Sequence, residues 1–166
     1  MNKTNFKVIL AILMSSTFLG FIYNFFSSDG IDFIRKPILV KSVSISEENG
    51  DSNQLRGIDL SQAVEIFNDN SATFIDARDQ WEYSDNHIIG AINIPEFSFD
   101  PSNKYLVKLN KEELLIVYCD GDDCDLSKRL AQKLISLGFK NTYVFLDGFN
   151  SWLTAELPIE KGKLNE

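Results

Sequence analysis

Residues 115–139 read LIVYCDGDDCDLSKRLAQKLISLGF and carry the clearest structural signals of the chain. The run LLIVY, Leu114 to Tyr118, is uniformly apolar, which predicts a buried strand that leads directly into Cys119. After a polar loop, leucines recur at the spacing of an amphipathic helix, at Leu126, Leu130, Leu134 and Leu137. Gly138 is placed to end that helix. The stretch therefore predicts a strand, a loop and a helix, with Cys119 at the carboxyl end of the strand.

Strands and helices alternate on both sides of this unit. A helix is expected over residues 58–69, capped by Asp59 or Ser61, and a last short helix around Trp152. Short apolar runs predict further strands at residues 73–75, 91–94 and 143–146. Such alternation is typical of an α/β fold, with a central parallel sheet flanked by helices on both faces. Ligands of such sheets bind beyond the carboxyl ends of the strands, where Cys119 is expected.

The setting of Cys119 favours a reactive thiol. A loop that turns from a strand into a helix directs several backbone N–H groups toward one point, and the helix N-terminus adds partial positive charge. Both stabilise a thiolate, which is the nucleophilic form of cysteine. The competing interpretation is an inert, buried residue at the end of a strand, which is the common state of a free cysteine.

Three segments together resemble the signatures of rhodanese domains, in the same order along the chain. FIDARDQWEYSDNHIIGAINIP (residues 74–95) resembles the first signature, residues 115–139 resemble the active-site strand, loop and helix, and VFLDGFNSWLTAELPIE (residues 144–160) resembles the closing segment. The resemblance covers roughly residues 54 to 163. It implies a single rhodanese-type domain that transfers sulfane sulfur through a persulfide on Cys119. The partner would be a small sulfur donor, or a protein persulfide or thiol, and no cofactor is expected.

Four residues match the first signature, and we interpret them as supporting scaffold: Asp76, Arg78, Glu82 and His87. Arg78 and Glu82 can pair across a turn, and Asp76 can cap the chain as it leaves its strand. His87, the only histidine, is expected to satisfy backbone groups rather than to act as a base.

The loop departs from the common rhodanese pattern, which has basic or neutral residues after the cysteine. Here Cys119 is followed by Asp120, Gly121, Asp122, Asp123, Cys124 and Asp125, and the first positively charged residue after Cys119 is Lys128. Carboxylates near a thiol raise its pKa and repel dianions such as thiosulfate. Thiosulfate is therefore a doubtful donor. The aspartates superficially resemble a calcium loop, but the EF-hand spacing and its final glutamate are absent, so no metal site is predicted.

Cys124 is a candidate resolving thiol. It lies at the far side of the same loop as Cys119, and a curled loop can bring the Cα atoms within the roughly 4.4–6.8 Å that a disulfide requires. Cys124 would then attack a persulfide on Cys119. The alternative is a Cys124 that only packs against the start of the helix.

The N-terminal segment predicts a membrane anchor. Residues 8–26 read VILAILMSSTFLGFIYNFF without a charge, and as a helix they are long enough to span the hydrocarbon core. Lys3 and Lys7 precede the segment, and Asp29 and Asp32 follow it, so the N-terminus is expected in the cytosol and the domain outside it. A cleaved signal peptide, with a secreted domain, and a buried core helix are the alternatives. The predicted organisation is an anchor over residues 1–27, a linker over 28–53 and the domain over 54–163.

Composition and motifs weigh against other classes. The net charge of −8 argues against nucleic-acid binding, which requires cations against phosphate. Related cysteine phosphatases and arsenate reductases close their loop with an arginine where this chain has Asp125. A stronger rival is an exported dithiol redox module or a non-catalytic docking module that uses Cys119 and Cys124.

Overall fold

The computed structural model describes residues 3–26, 38, 40–42, 55–121 and 124–162. The chain divides into two compact units, Met1–Pro37 and Ile38–Glu166. The predicted linker over residues 28–53 lies mostly outside the described residues.

The described part of the first unit, residues 3–26, forms the helix α1 over Lys3–Phe26. Its apolar part, Phe6–Phe26, has 21 residues and is long and apolar enough to cross a membrane. At about 1.5 Å per residue it would extend roughly 31 Å, close to the thickness of the hydrocarbon core. The hydroxyls of Ser15, Ser16 and Thr17 donate to backbone carbonyls one turn earlier, so these polar groups are satisfied within the helix. A signal sequence would meet the same criteria of length and composition.

The second unit is built on a six-stranded parallel sheet with the strand order β1-β2-β7-β6-β3-β5. Its strands are β1 (Lys41–Ser42), β2 (Arg56–Ile58), β3 (Thr73–Asp76), β5 (Ile92–Asn93), β6 (Leu115–Tyr118) and β7 (Thr142–Phe145). Two further strands, β4 (His87–Ile88) and β8 (Ile159–Glu160), pair with each other in antiparallel fashion. The helices are α2 (Leu60–Asn68), α3 (Gln80–Asp85), α4 (Leu126–Ser136) and α5 (Gly148–Thr154), with a short 3-10 helix at Leu106–Lys108. The predicted α/β fold with a central parallel sheet and flanking helices is confirmed.

Helices cover both faces of the sheet because successive residues of the inner strands point to opposite sides. On one face, Val117 of β6 joins Leu130 and Leu134 of α4 in one apolar cluster. On the other face, Ile116 joins Ile66 of α2 and Trp152 of α5 in a second cluster. This two-sided burial explains why the inner strands are apolar without alternation.

Local signals set most element boundaries. Asp59 caps α2 through a capping box with Gln62, as one of the two expected caps. Gly138 follows α4 at φ +99°, which is the conformation that ends helices. The expected start of α2 at Ile58 is wrong, because Ile58 lies in β2 and pairs with Phe145 of β7. Part of the predicted linker contributes the edge strand β1.

Candidate active site

Cys119 follows β6, which lies in the sheet between β7 and β3. The residue is 1% exposed. The chain then forms a loop and enters α4 at Leu126. Cys119 therefore lies at the carboxyl end of an inner strand and ahead of a helix N-terminus, as the sequence predicted.

The sulfur of Cys119 is close to polar groups from α4 and its approach. The hydroxyl Oγ of Ser127 lies 3.3 Å from the Cys119 Sγ, and the backbone carbonyl of Cys124 is also at 3.3 Å. Ser127 is in the first turn of α4, and the Asp125 side chain does not cap that turn. The Ser127 hydroxyl and the N-terminus of α4 favour negative charge on this sulfur, whereas the Cys124 carbonyl oxygen opposes it.

The start of the loop is held by α5. The Phe149 N–H donates to the carbonyl of Cys119 at 2.7 Å, and the Asn150 N–H donates to that of Asp120 at 2.9 Å. Gly148 makes this possible because it has no side chain: a Cβ there would lie 2.5 Å from the Gly121 nitrogen and 2.6 Å from the Cys119 oxygen. The two segments are therefore fitted backbone to backbone.

The loop curls back on itself, and Cys119 and Cys124 form a disulfide with their Cα atoms 6.4 Å apart. The curl depends on Gly121, whose φ of +152° is unfavourable for other residues, and on a turn in which the Cys124 N–H donates to the Gly121 carbonyl at 2.9 Å. The Cα separation lies within the range that the sequence-based argument required.

Two of the four loop aspartates have a basic partner. The Asp120 carboxylate lies 3.5 Å from the Arg78 guanidinium, and the Asp125 carboxylate lies 3.1 Å from the Lys128 ammonium. Asp122 and Asp123 lie outside the described residues. The loop thus carries less uncompensated negative charge at its two ends than its composition suggests.

Comparisons with known proteins give the family. Residues 59–155 match the rhodanese-like domain, which is more than half of the chain. The chain belongs to the rhodanese family. It is similar to a thiosulfate sulfurtransferase GlpE from Glaesserella parasuis, with 33% identity over 101 residues, covering 61% of this chain and 89% of that protein. A thiosulfate sulfurtransferase GlpE from Coxiella burnetii is 32% identical over 91 residues, covering 55% of this chain and 80% of that protein.

A solved structure supports the fold. The rhodanese-related protein from Thermoplasma volcanium has a TM-score of 0.54 and 23% identity, covering 64% of this chain and 99% of that chain. That likeness concerns the fold, whereas the printed names of the two GlpE relatives show that the family includes sulfurtransferases.

The first rhodanese signature forms a buried ion pair beneath the loop. The Arg78 guanidinium donates to both carboxylate oxygens of Asp76, at 3.1 and 2.7 Å, and to the Asn86 carbonyl at 2.8 Å. It also stacks over the Phe149 ring at 4.1 Å. Burial opposes the charge of Arg78, but its hydrogen bonds and attraction to Asp76 outweigh burial and raise the pKa of Arg78. Asp76 also accepts from the Arg78 N–H at 2.9 Å, which is the capping role that the sequence predicted.

Glu82 and His87 serve the local backbone. The expected pair between Arg78 and Glu82 is wrong: Glu82 completes a capping box with Asp79 at the start of α3, while Arg78 turns to Asp76. Burial raises the pKa of Glu82. The His87 ring is stacked on Tyr83 at 3.7 Å, and its Nδ1 lies 2.8 Å from the Tyr83 carbonyl. His87 therefore satisfies a backbone group, as predicted.

Three features of the site were not predicted from the sequence. Ser127 was not among the predicted site residues, although a serine in the first turn after the loop is the signal for its contact with Cys119. The close approach of Gly148 has no local signal beyond the Asp-Gly pair that follows β7. An open groove of about 570 Å³ runs beside the loop and α5, lined in part by Asp120, Gly121, Asp147, Asn150, Ser151 and Thr154. Within the described ranges, no three His, Cys, Asp or Glu side chains come together as a metal site.

Proposed function

We propose that this chain is a sulfurtransferase that carries sulfane sulfur as a persulfide on Cys119 and passes it to a thiol or another acceptor. The observation that carries the proposal is the position of Cys119 in a rhodanese-family domain, buried at the carboxyl end of an inner strand and at the start of a loop that leads into α4.

The chemistry follows from the groups around the sulfur. The Cys119 thiolate attacks the outer sulfur of a donor, the donor's bond to that sulfur breaks, and its remaining fragment leaves with the electron pair. An acceptor thiolate later takes the outer sulfur and releases the Cys119 thiolate. The Ser127 hydroxyl and the N-terminus of α4 favour both anionic forms of Cys119, so the cycle needs no separate base.

Intact mass spectrometry tests the proposal. The reduced full-length chain, purified in detergent, is mixed with a polysulfide donor for a short time and then analysed. We expect a gain of one sulfur in the wild type and in Cys124→Ser, and none in Cys119→Ser. Uptake by Cys119→Ser, or no uptake by Cys124→Ser, would contradict a persulfide on Cys119.

Thiosulfate is proposed as a poorer donor than a polysulfide or a persulfide. The name of the two relatives given above, thiosulfate sulfurtransferase, favours thiosulfate as a substrate of those proteins. The four carboxylates of this loop oppose the approach of a dianion, although Arg78 and Lys128 offset two of them.

For localisation, we propose that α1 anchors the chain, with the N-terminus in the cytosol and the rhodanese domain outside it. Lys3 and Lys7 before the apolar segment support this orientation. A reporter fused after Glu166 should behave as exported, and protease added to intact spheroplasts should digest the domain. Protection of the domain would refute the orientation. An N-terminus lacking α1 on the purified chain would indicate a cleaved signal instead.

The disulfide favours a second candidate, an exported dithiol redox module. Such a module would lose two hydrogens on treatment with a sulfane-sulfur donor and would accumulate no species that carries an added sulfur, because the second thiolate would displace the added sulfur at once. The same mass measurement, taken at early times, distinguishes the two functions.

A further inference from the structure

We propose that Cys124 is a resolving thiol that converts the Cys119 persulfide into hydrosulfide and a Cys119–Cys124 disulfide, which an outside dithiol then reduces. This inference rests on the proposed function, because it requires the persulfide. It adds a second activity to the site, reductive release of sulfide at the expense of a dithiol.

The loop brings the two sulfurs together without rearrangement of the fold. The Cα atoms are 6.4 Å apart, the turn from Gly121 to Cys124 is closed by a backbone hydrogen bond of 2.9 Å, and the loop is held at its start by α5. These are the only two cysteines of the chain. Since one short loop holds both, the attack is intramolecular and gains the high effective concentration of a fixed neighbour.

The step balances as a two-electron transfer. The Cys124 thiolate, after giving its proton to water, attacks the Cys119 Sγ, and the bond from that Sγ to the outer sulfur breaks. The outer sulfur takes the bonding pair and, with a proton from water, leaves as hydrosulfide. The sulfane sulfur is thereby reduced to sulfide, and the two cysteines are oxidised to the disulfide.

The structure also indicates which sulfur of the disulfide the outside reductant attacks when it regenerates the two thiols, a step called the reset below. Cys119 is 1% exposed, whereas Cys124 is partly exposed, so an outside thiolate reaches the Cys124 sulfur first. Cys119 is then the leaving group, and the Ser127 hydroxyl at 3.3 Å and the start of α4 stabilise its thiolate. The second thiol of the reductant then attacks the mixed disulfide, which frees the Cys124 thiolate and leaves the reductant as a disulfide. A protein dithiol of the thioredoxin class, or a small dithiol, supplies the two electrons.

The lifetime of the persulfide tests the resolving step. The reduced full-length chain in detergent is freed of reductant, mixed anaerobically with one equivalent of polysulfide and sampled over time for intact mass and hydrosulfide. In the wild type, the added sulfur should disappear, two hydrogens should be lost, and hydrosulfide should be released. In Cys124→Ser and Cys124→Ala, the persulfide should persist at least tenfold longer, with no hydrosulfide beyond that released by the donor until a thiol is added.

The outcomes separate this proposal from the proposed function. If neither Cys124 variant takes up sulfur, although both unfold at the wild-type temperature, the persulfide itself is refuted. If both take up sulfur and the wild-type persulfide lives as long as theirs, only the resolving role is refuted. Two variants of different polarity are used so that a local effect of one substitution does not decide the result.

The reset is tested by trapping. The oxidised wild type is mixed with a thioredoxin-class protein that retains only its attacking cysteine, and the mixed disulfide is mapped by peptide mass spectrometry. We expect the bond on Cys124, and uptake of new sulfur only after an intact dithiol has been added. A mixed disulfide on Cys119, or sulfur uptake by the oxidised chain without a dithiol, would overturn the proposed direction.

Discussion

Replacing Gly148 by alanine should force a methyl group into the loop that holds Cys119. Gly148 begins α5 at φ +63°, and a Cβ there would lie 2.5 Å from the Gly121 nitrogen and 2.6 Å from both the Asp120 carbonyl carbon and the Cys119 oxygen. All three neighbours are backbone atoms, so no flexible side chain can move aside. Either α5 or the loop must shift, and the hydrogen bond from Phe149 to the Cys119 carbonyl must lengthen.

The loss of unfolding free energy in Gly148→Ala has two parts, and Gly90→Ala is a control that separates them. An alanine at positive φ costs about 1–2 kcal/mol. Overpacking against fixed backbone adds roughly 1–3 kcal/mol. Gly90 has a φ of +77°, and among the described residues no heavy atom other than those of its chain neighbours lies within 4 Å of its Cβ position, so Gly90→Ala should lose stability only through the positive φ. The free energy of unfolding should therefore fall by roughly 2–5 kcal/mol in Gly148→Ala and by about 1–2 kcal/mol in Gly90→Ala.

Thermal unfolding followed by tryptophan fluorescence provides the measurement, because Trp152 is fully buried and reports the folded domain. At about 4–8 °C per kcal/mol, Gly148→Ala should melt well below Gly90→Ala. Sulfur uptake below the melting temperature should fall in Gly148→Ala and stay at the wild-type level in Gly90→Ala. Equal melting temperatures for the two variants, with full sulfur uptake by both, would refute the close fit between α5 and the loop.

Three further predictions concern charge. Burial disfavours the Glu96 carboxylate, but hydrogen bonds from Arg129 and Lys133 of α4 outweigh burial and lower the pKa of Glu96. The stabilisation is therefore present above the ordinary pKa and is lost as the pH falls through the lowered value. Between the two values, acid titrations of Glu96→Gln should show about 1 kcal/mol less loss of stability than the wild type, since both basic partners are partly exposed; identical acid profiles would contradict this. Arg78→Lys should lower the free energy of unfolding by about 2–4 kcal/mol, because a lysine ammonium cannot make the paired hydrogen bonds that the planar guanidinium makes to Asp76. A melting temperature unchanged from the wild type would contradict this prediction. Asp120→Asn, by releasing the Arg78 charge, should lower the KM for thiosulfate about 2–5-fold at low ionic strength and have little effect at high salt. Asp69→Asn removes the same charge at the end of α2 and serves as its control; an equal effect of both variants would show that only net charge matters.

The architecture, and Cys119 as the candidate reactive residue, could be predicted from the sequence. Apolar runs of four or five residues, the helical spacing of leucines and the glycine after α4 are local signals. They predict strands, a helix and its end, because a strand or helix repeats its backbone hydrogen bonds and its buried side chains at a regular period. These signals were enough to place Cys119 between a buried strand and a helix N-terminus. The family could also be predicted from the sequence, because each of its three signatures is a contiguous stretch of the chain.

Which side chains contact one another could not be predicted from the sequence and depends on tertiary packing. Arg78 has carboxylates near it in the sequence on both sides, and its choice of Asp76 over Glu82 depends on how the chain leaves β3 and on the ring of Phe149 beneath it. Strands of two or three residues, such as β1 and β2, exist through pairing with distant partners and have too few residues to show a period. The fit of Gly148 against Gly121 joins segments that are 27 positions apart, and the closure of Cys119 on Cys124 depends on one glycine conformation. Contacts of this kind are set by the packing of whole elements, a property that no window of the sequence contains.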